Sequence, residues 1–204
     1  TTDAEIGGLA LGVAINLNTS GNLAGAGSIL INEIDNDTRA YIGDSVITDD
    51  LTEPVGDSTV AVDGSVTIAA RDASYIGGLA GGISGSASST AVGGAISYNL
   101  ITIDTAAFID GSQVEANDAS YSISISAVSN SELITVGVGA AVNAWDDPAF
   151  SGSLSVNSIA NTVDAHIVDS PLVSAGADVV VNATQSDLLV TVAGAFSLST
   201  VNAV

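Results

Sequence analysis

The groups in this chain that could do chemistry are almost all carboxylates. Of its 204 residues 23 are Asp or Glu, against 2 Lys+Arg and 1 His, with no Cys. Two opposed carboxylates suffice to hydrolyse a glycosidic bond, so the acids alone do not exclude a glycosidase. A polysaccharide lyase also needs a base to take the proton and cations to hold an acidic sugar. Arg39, Arg71 and His166 are the whole basic inventory, and that set is poor. Covalent catalysis lacks its parts too: there is no thiol, the Ser-rich stretches hold no nucleophile elbow, and a lone His makes no triad. The expectation is a chain that is not an enzyme.

Binding chemistry has two candidate places. Hard cations such as Ca²⁺ take six to eight oxygens, with carboxylates supplying the charge, and Asp49, Asp50, Glu53 and Asp57 crowd into one short stretch. No EF-hand loop is present there. The Gly-Gly pairs at 7, 77 and 93 also lack the Asp that calcium β-roll nonapeptides place after them. Solvated charge is the simpler role, so no cofactor is expected to be required, and the stretch 49–57 is the best candidate for a structure-stiffening Ca²⁺. The second place is Trp145-Asp146-Asp147-Pro148-Ala149-Phe150, which gathers aromatics, acids and Pro. As a loop, its Trp145, Asp146, Asp147 and Phe150 could stack a sugar ring or a partner chain; covering the flank of the fold is the competing role.

Charge and composition exclude other partners. A net charge of -21 repels nucleic acid and anionic lipid. Residues 73–103 carry no charge over a length that could span a bilayer, but the stretch is rich in Gly and Ser and lacks the Leu/Ile/Phe density of a spanning helix. An aromatic content of 4% also argues against the girdles of a membrane barrel. No membrane insertion is expected. The hydrophobic fraction of 47% is nevertheless far above that of a disordered acidic tail, so the chain folds.

What must position these groups is an internal repeat. Residues 27–45, 94–112 and 152–170 align without a gap as GSILINEIDNDTRAYIGDS, GAISYNLITIDTAAFIDGS and GSLSVNSIANTVDAHIVDS. Six positions are identical in all three: Gly27/Gly94/Gly152, Asn32/Asn99/Asn157, Ile34/Ile101/Ile159, Ala40/Ala107/Ala165, Ile42/Ile109/Ile167 and Ser45/Ser112/Ser170. The copies lie 67 and then 58 residues apart, which places an insertion in or near Asp49–Asp63. Two other blocks recur. One is Gly/Ala-rich (IGGLALG from Ile6, IGGLAGG from Ile76, ITVGVGA from Ile134, VTVAGAF from Val190), and one is of Val-Thr-Ile type (64–70, 119–127, 177–183).

Period-two alternation, as in Ser122-Ile123-Ser124-Ile125-Ser126, and the lack of any 3.6-residue stripe predict strands and no substantial helix. Hairpin dipeptides are few, which disfavours an antiparallel sandwich. A parallel β-solenoid instead stacks like residues coil on coil. The expectation is several short strands per unit, with Gly, Asn and Ser at corners and a lumen of Val, Ile, Leu and Ala. Each unit is larger than a usual coil and is expected to hold two or three, giving seven to ten coils and a rod roughly 35 to 50 Å long at about 4.8 Å per coil. Asn32, Asn99 and Asn157 are expected to form an amide ladder that fixes a corner; an Asn row binding sugar hydroxyls is the alternative. His166 stands where the other copies have Tyr41 and Phe108, which predicts a half-buried planar side chain.

The threefold G-[SA]-[IL]-x-x-N-x-I…A-[YFH]-I-x-x-S block, with its Gly/Ala and Val-Thr-Ile strands, resembles the repeats of giant secreted bacterial β-solenoid proteins, the filamentous-haemagglutinin-like and leukotoxin-like adhesins. The resemblance covers essentially the whole chain and implies a right-handed parallel β-helix, an extracellular or cell-surface location, and a stalk, fibre or adhesive shaft. The expected organisation is a single all-β solenoid segment over 1–204, with units at about 1–70, 71–127, 128–183 and a partial 184–204, within a longer chain. Its expected partners are like segments stacked end to end or in the same chain. A module binding surface glycans is the alternative role, and a carbohydrate-active enzyme a weaker one.

Overall fold

The structure, a computed structural model, describes residues 1–18, 23–48, 59–144 and 147–200, and of 59–61 the backbone alone. The described residues form eleven strands and no helix: β1 (Thr2–Asn16), β2 (Leu23–Gly43), β3 (Val46–Thr48), β4 (Thr59–Ala61), β5 (Val66–Ser86), β6 (Thr90–Asp110), β7 (Gln113–Ala116), β8 (Ile123–Asn143), β9 (Ala149–Val168), β10 (Leu172–Ala175) and β11 (Val179–Ser199). They make three parallel sheets: sheet A in the order β1-β5-β8-β11, sheet B in the order β2-β6-β9, and sheet C in the order β10-β7-β3-β4. The fold is a parallel β-solenoid.

One circuit runs along a long strand of sheet A, back along a long strand of sheet B and across a short strand of sheet C, as in β5, β6 and β7. This corrects three expectations. Each repeat unit is one coil, because Gly27 pairs with Gly94 and Gly94 with Gly152, one unit on each time. The strands are long, since the Val-Thr-Ile and Gly/Ala blocks, read as separate strands, join in the 21 residues of β5. Finally, sheet A stacks four strands, so the coils rise only about 14 Å from β1 to β11 while each long strand runs about 70 Å. The insertion after β3 carries β4, which pairs with β3 and adds a strand to sheet C.

The interior changes character along this width. Where the three sheets meet, Ile68, Ala70, Ala107, Ile109, Val114, Ile123 and Ile125 pack together. Next comes a polar layer around buried Asp72, then a second apolar layer of Ile34, Ile76, Ile101, Ile103 and Leu133. Beyond the Asn row and a small cluster of Leu30, Ala80 and Ala95, the two long sheets close to backbone contact. A Cβ on Gly12 would lie 2.2 Å from the Gly27 carbonyl oxygen, on Gly82 2.0 Å from that of Gly94, and on Gly139 2.3 Å from that of Gly152. The Gly/Ala block exists because any side chain at these positions would hold the sheets apart.

The pinch confines the expected lumen of Val, Ile, Leu and Ala to the thick half. Alternation puts one residue in two inside, and in the thin half the inside positions are mostly Gly, Ala and Ser, with Asn16 and Asn143 at the strand ends. Leu, Ile and Val therefore occupy the outer faces, among them Leu9, Val13, Ile83 and Ile96. In the thick half the usual order holds, with isoleucines inside and the acids Asp35, Asp37, Asp104 and Asp164 outside.

Candidate functional site

Three rows of side chains run through successive coils. The first is the amide row. Asn32 Nδ2 donates to Asn99 Oδ1 at 2.7 Å, and Asn99 Nδ2 donates to Asn157 Oδ1 at 2.7 Å. Asn157 Nδ2 in turn reaches Thr135 Oγ1 at 2.8 Å and Thr191 Oγ1 at 2.6 Å. Asn99 is fully buried, so its satisfied amide avoids the cost that an unpaired buried polar group carries. Sheet A makes room for the row. A Cβ on Gly8 would meet Leu30 Cδ1 at 2.7 Å and Asn32 Nδ2 at 3.0 Å, and the register partners of Gly8 are Gly78, then Thr135, then Thr191. Glycine yields to a hydroxyl where the row needs an acceptor. The row lies in mid-strand, which corrects its expected place at a corner.

The corners belong to a second row. Asp44, Gly111 and Asp169 follow β2, β6 and β9, and all have positive φ, at 50°, 57° and 47°. This left-handed bend is open to Gly and tolerated by Asp. The next residue is the invariant Ser. Ser45, Ser112 and Ser170 donate to the carbonyls of Gly43, Asp110 and Val168 at 2.8, 2.7 and 2.9 Å. Each Oγ beyond the first also accepts from the coil before: Ser45 N–H to Ser112 at 3.1 Å and Ser112 N–H to Ser170 at 3.2 Å. The sequence signal for this row was present in the identity of the three serines.

The third row is aromatic. Tyr41, Phe108 and His166 stack on the outside of sheet B with centroids 5.1 and 5.0 Å apart and planes within 8° and 2°. His166 continues the column, and its Nδ1 lies 2.7 Å from Asp164 Oδ2. Phe108 has a ring stacked on each face, while Tyr41 and His166 at the ends of the column each stack on one.

Among the described residues one carboxylate is wholly buried. Asp72 accepts from Ser74 Oγ at 2.7 Å and Asn36 Nδ2 at 3.1 Å, and Thr38 Oγ1 approaches at 3.5 Å and bonds Thr2 Oγ1 at 2.7 Å. Its register neighbour Ser129 is buried beside it. At the surface, Asp118 accepts the backbone N–H and then the hydroxyl of Ser120, which lowers its carboxyl below the ordinary value.

Asp49, Asp50, Glu53 and Asp57 lie outside the described residues, as do Trp145 and Asp146. Among the described residues no three His, Cys, Asp or Glu side chains gather where they could hold a metal ion. The stretch read as one loop is divided. Asp147 stays in the connection, where its carbonyl accepts from Ser199 Oγ at 2.8 Å. Phe150 belongs to β9 and sits exposed on the outer face of sheet B beside Val92. No helix among the described residues is long and apolar enough to cross a membrane. No family model matches the chain, and neither a curated protein nor a solved structure is significantly similar to it.

Proposed function

We propose that this chain is an extracellular structural module, a section of stiff solenoid that serves as stalk, filament or surface-adhesin shaft and extends by stacking coil on coil. The observation that supports this reading is that the amide, serine and aromatic rows all bond between coils, each residue to its own counterpart one coil on. A chain organised this way gains stability from neighbouring coils and has length as its product. Its chemistry is absorbed in the rows, and the acids outside keep it hydrated.

Electron microscopy of the purified chain, with and without a calcium chelator, tests the proposal. Uniform fibres with a strand repeat of about 4.8 Å along the axis that survive chelation are expected. Compact particles that bind glycan, or fibres that fall apart on chelation, would replace it with a binding module or a metal-dependent one.

A further inference from the structure

The outer face of sheet A divides into two fields. One carries Asp3, Glu5, Arg71 and Glu132. The other, covering 6–16, 76–86, 133–143 and 188–199, contains no charged residue in any of its four strands. Outward from it stand Leu11, Val13, Ile83, Val138, Val192 and Phe196, each at least 40% exposed. Eleven residues along and four strands across measure roughly 36 by 19 Å, or about 700 Å². Monomeric proteins seldom show an apolar patch larger than about 300–600 Å².

We infer that this field pairs face to face with the same field on a second copy of the chain. The area fits: covering both fields removes about 1,400 Å², within the roughly 1,200–2,000 Å² of stable, specific interfaces. Charge selects the geometry. At a formal charge of -21 per chain, two copies cannot lay their acidic halves on each other without repulsion. A twofold axis parallel to the stacking direction, passing through the middle of the apolar field, overlaps only the uncharged halves and sends the acidic halves out to opposite sides. On that axis Val138 faces its own counterpart, and the contact is isologous. A bilayer is the poorer occupant, because β1 and β11 are each paired on one side only within the chain, and unpaired backbone groups in hydrocarbon cost several kcal/mol each.

With no Cys in the chain, single-cysteine cross-linking gives a direct test. Val138→Cys is expected to form a disulfide dimer on mild oxidation. Ser126→Cys in the polar half of sheet A should stay uncross-linked. The variant Leu11→Lys with Val13→Lys should show half the mass of the parent, or half its mass per unit length where fibres form, at 0.15 M salt, with an unchanged circular dichroism spectrum. A parent chain that sediments as a monomer at 100 µM would overturn the inference. So would Val138→Cys that stays uncross-linked within axially stacked oligomers, an outcome that leaves the stalk reading standing. Flotation of the parent chain with phosphatidylcholine vesicles would overturn it in favour of lipid.

Discussion

Asn99 concentrates the logic of the molecule in one side chain. It is buried, donates to one coil and accepts from the other, so Asn99→Ala removes two bonds and strands the amide groups of Asn32 and Asn157. A loss of about 3 kcal/mol is expected, read as a lower denaturant midpoint with an unchanged slope. This row was legible in the sequence because one residue type recurs at a gap-free spacing. Its mid-strand position was not: Asn, Asp and Gly ordinarily mark turns, yet Asp35-Asn36-Asp37 runs straight through β2. Inside the stack Asn32 bonds Asn99 and Asn36 bonds Asp72 and Ser74, while an outward Asp meets water, so none of them ends the strand. The corner fell to Asp44, Gly111 and Asp169, whose mixed identity hid their shared bend.

Among the elements, the glycine-lined strands decide where the two long sheets can touch. Gly139 and Gly152 are partners in that contact, yet they differ in direction. A Cβ on Gly139 would lie 2.3 Å from the Gly152 carbonyl oxygen, whereas one on Gly152 points outward with nothing within 4 Å. Gly139→Ala is therefore expected to cost more than about 3 kcal/mol, or to prevent folding, because backbone must move. Gly152→Ala should fall within about 0.5 kcal/mol of neutral, on the stabilising side, since it restricts the unfolded chain without strain. Thermal unfolding of the pair reads the difference. The alternation that announced these strands was plain in sequence, but alternation names two faces without saying which is inner. Bulk was expected inside, as it is in the thick half; in the thin half the backbone contact reverses the order.

As a whole the chain is a low, broad blade. Strands about 70 Å long in a stack about 14 Å high give a radius of gyration of about 21 Å for the monomer, against about 17 Å for a compact domain of this length. Small-angle scattering at low concentration is expected to return the larger value; the smaller would mean that the long sheets fold back on themselves. A β-solenoid of parallel strands was legible from the repeat, but its proportions were not, because the number of coils in a unit depends on how far a strand runs before it turns. The amide row adds a property of the whole. Every donor points the same way, from Asn32 to Asn99, from Asn99 to Asn157 and on to Thr191, so the row has a head and a tail. A coil arriving beside Asn32 meets an amide oxygen, whereas the hydrogens of Asn157 are already donated to Thr135 and Thr191. The two ends of the row therefore differ, and head-to-tail joining is the expected arrangement of any fibre these blades build, which would give it a direction, as an arrow has.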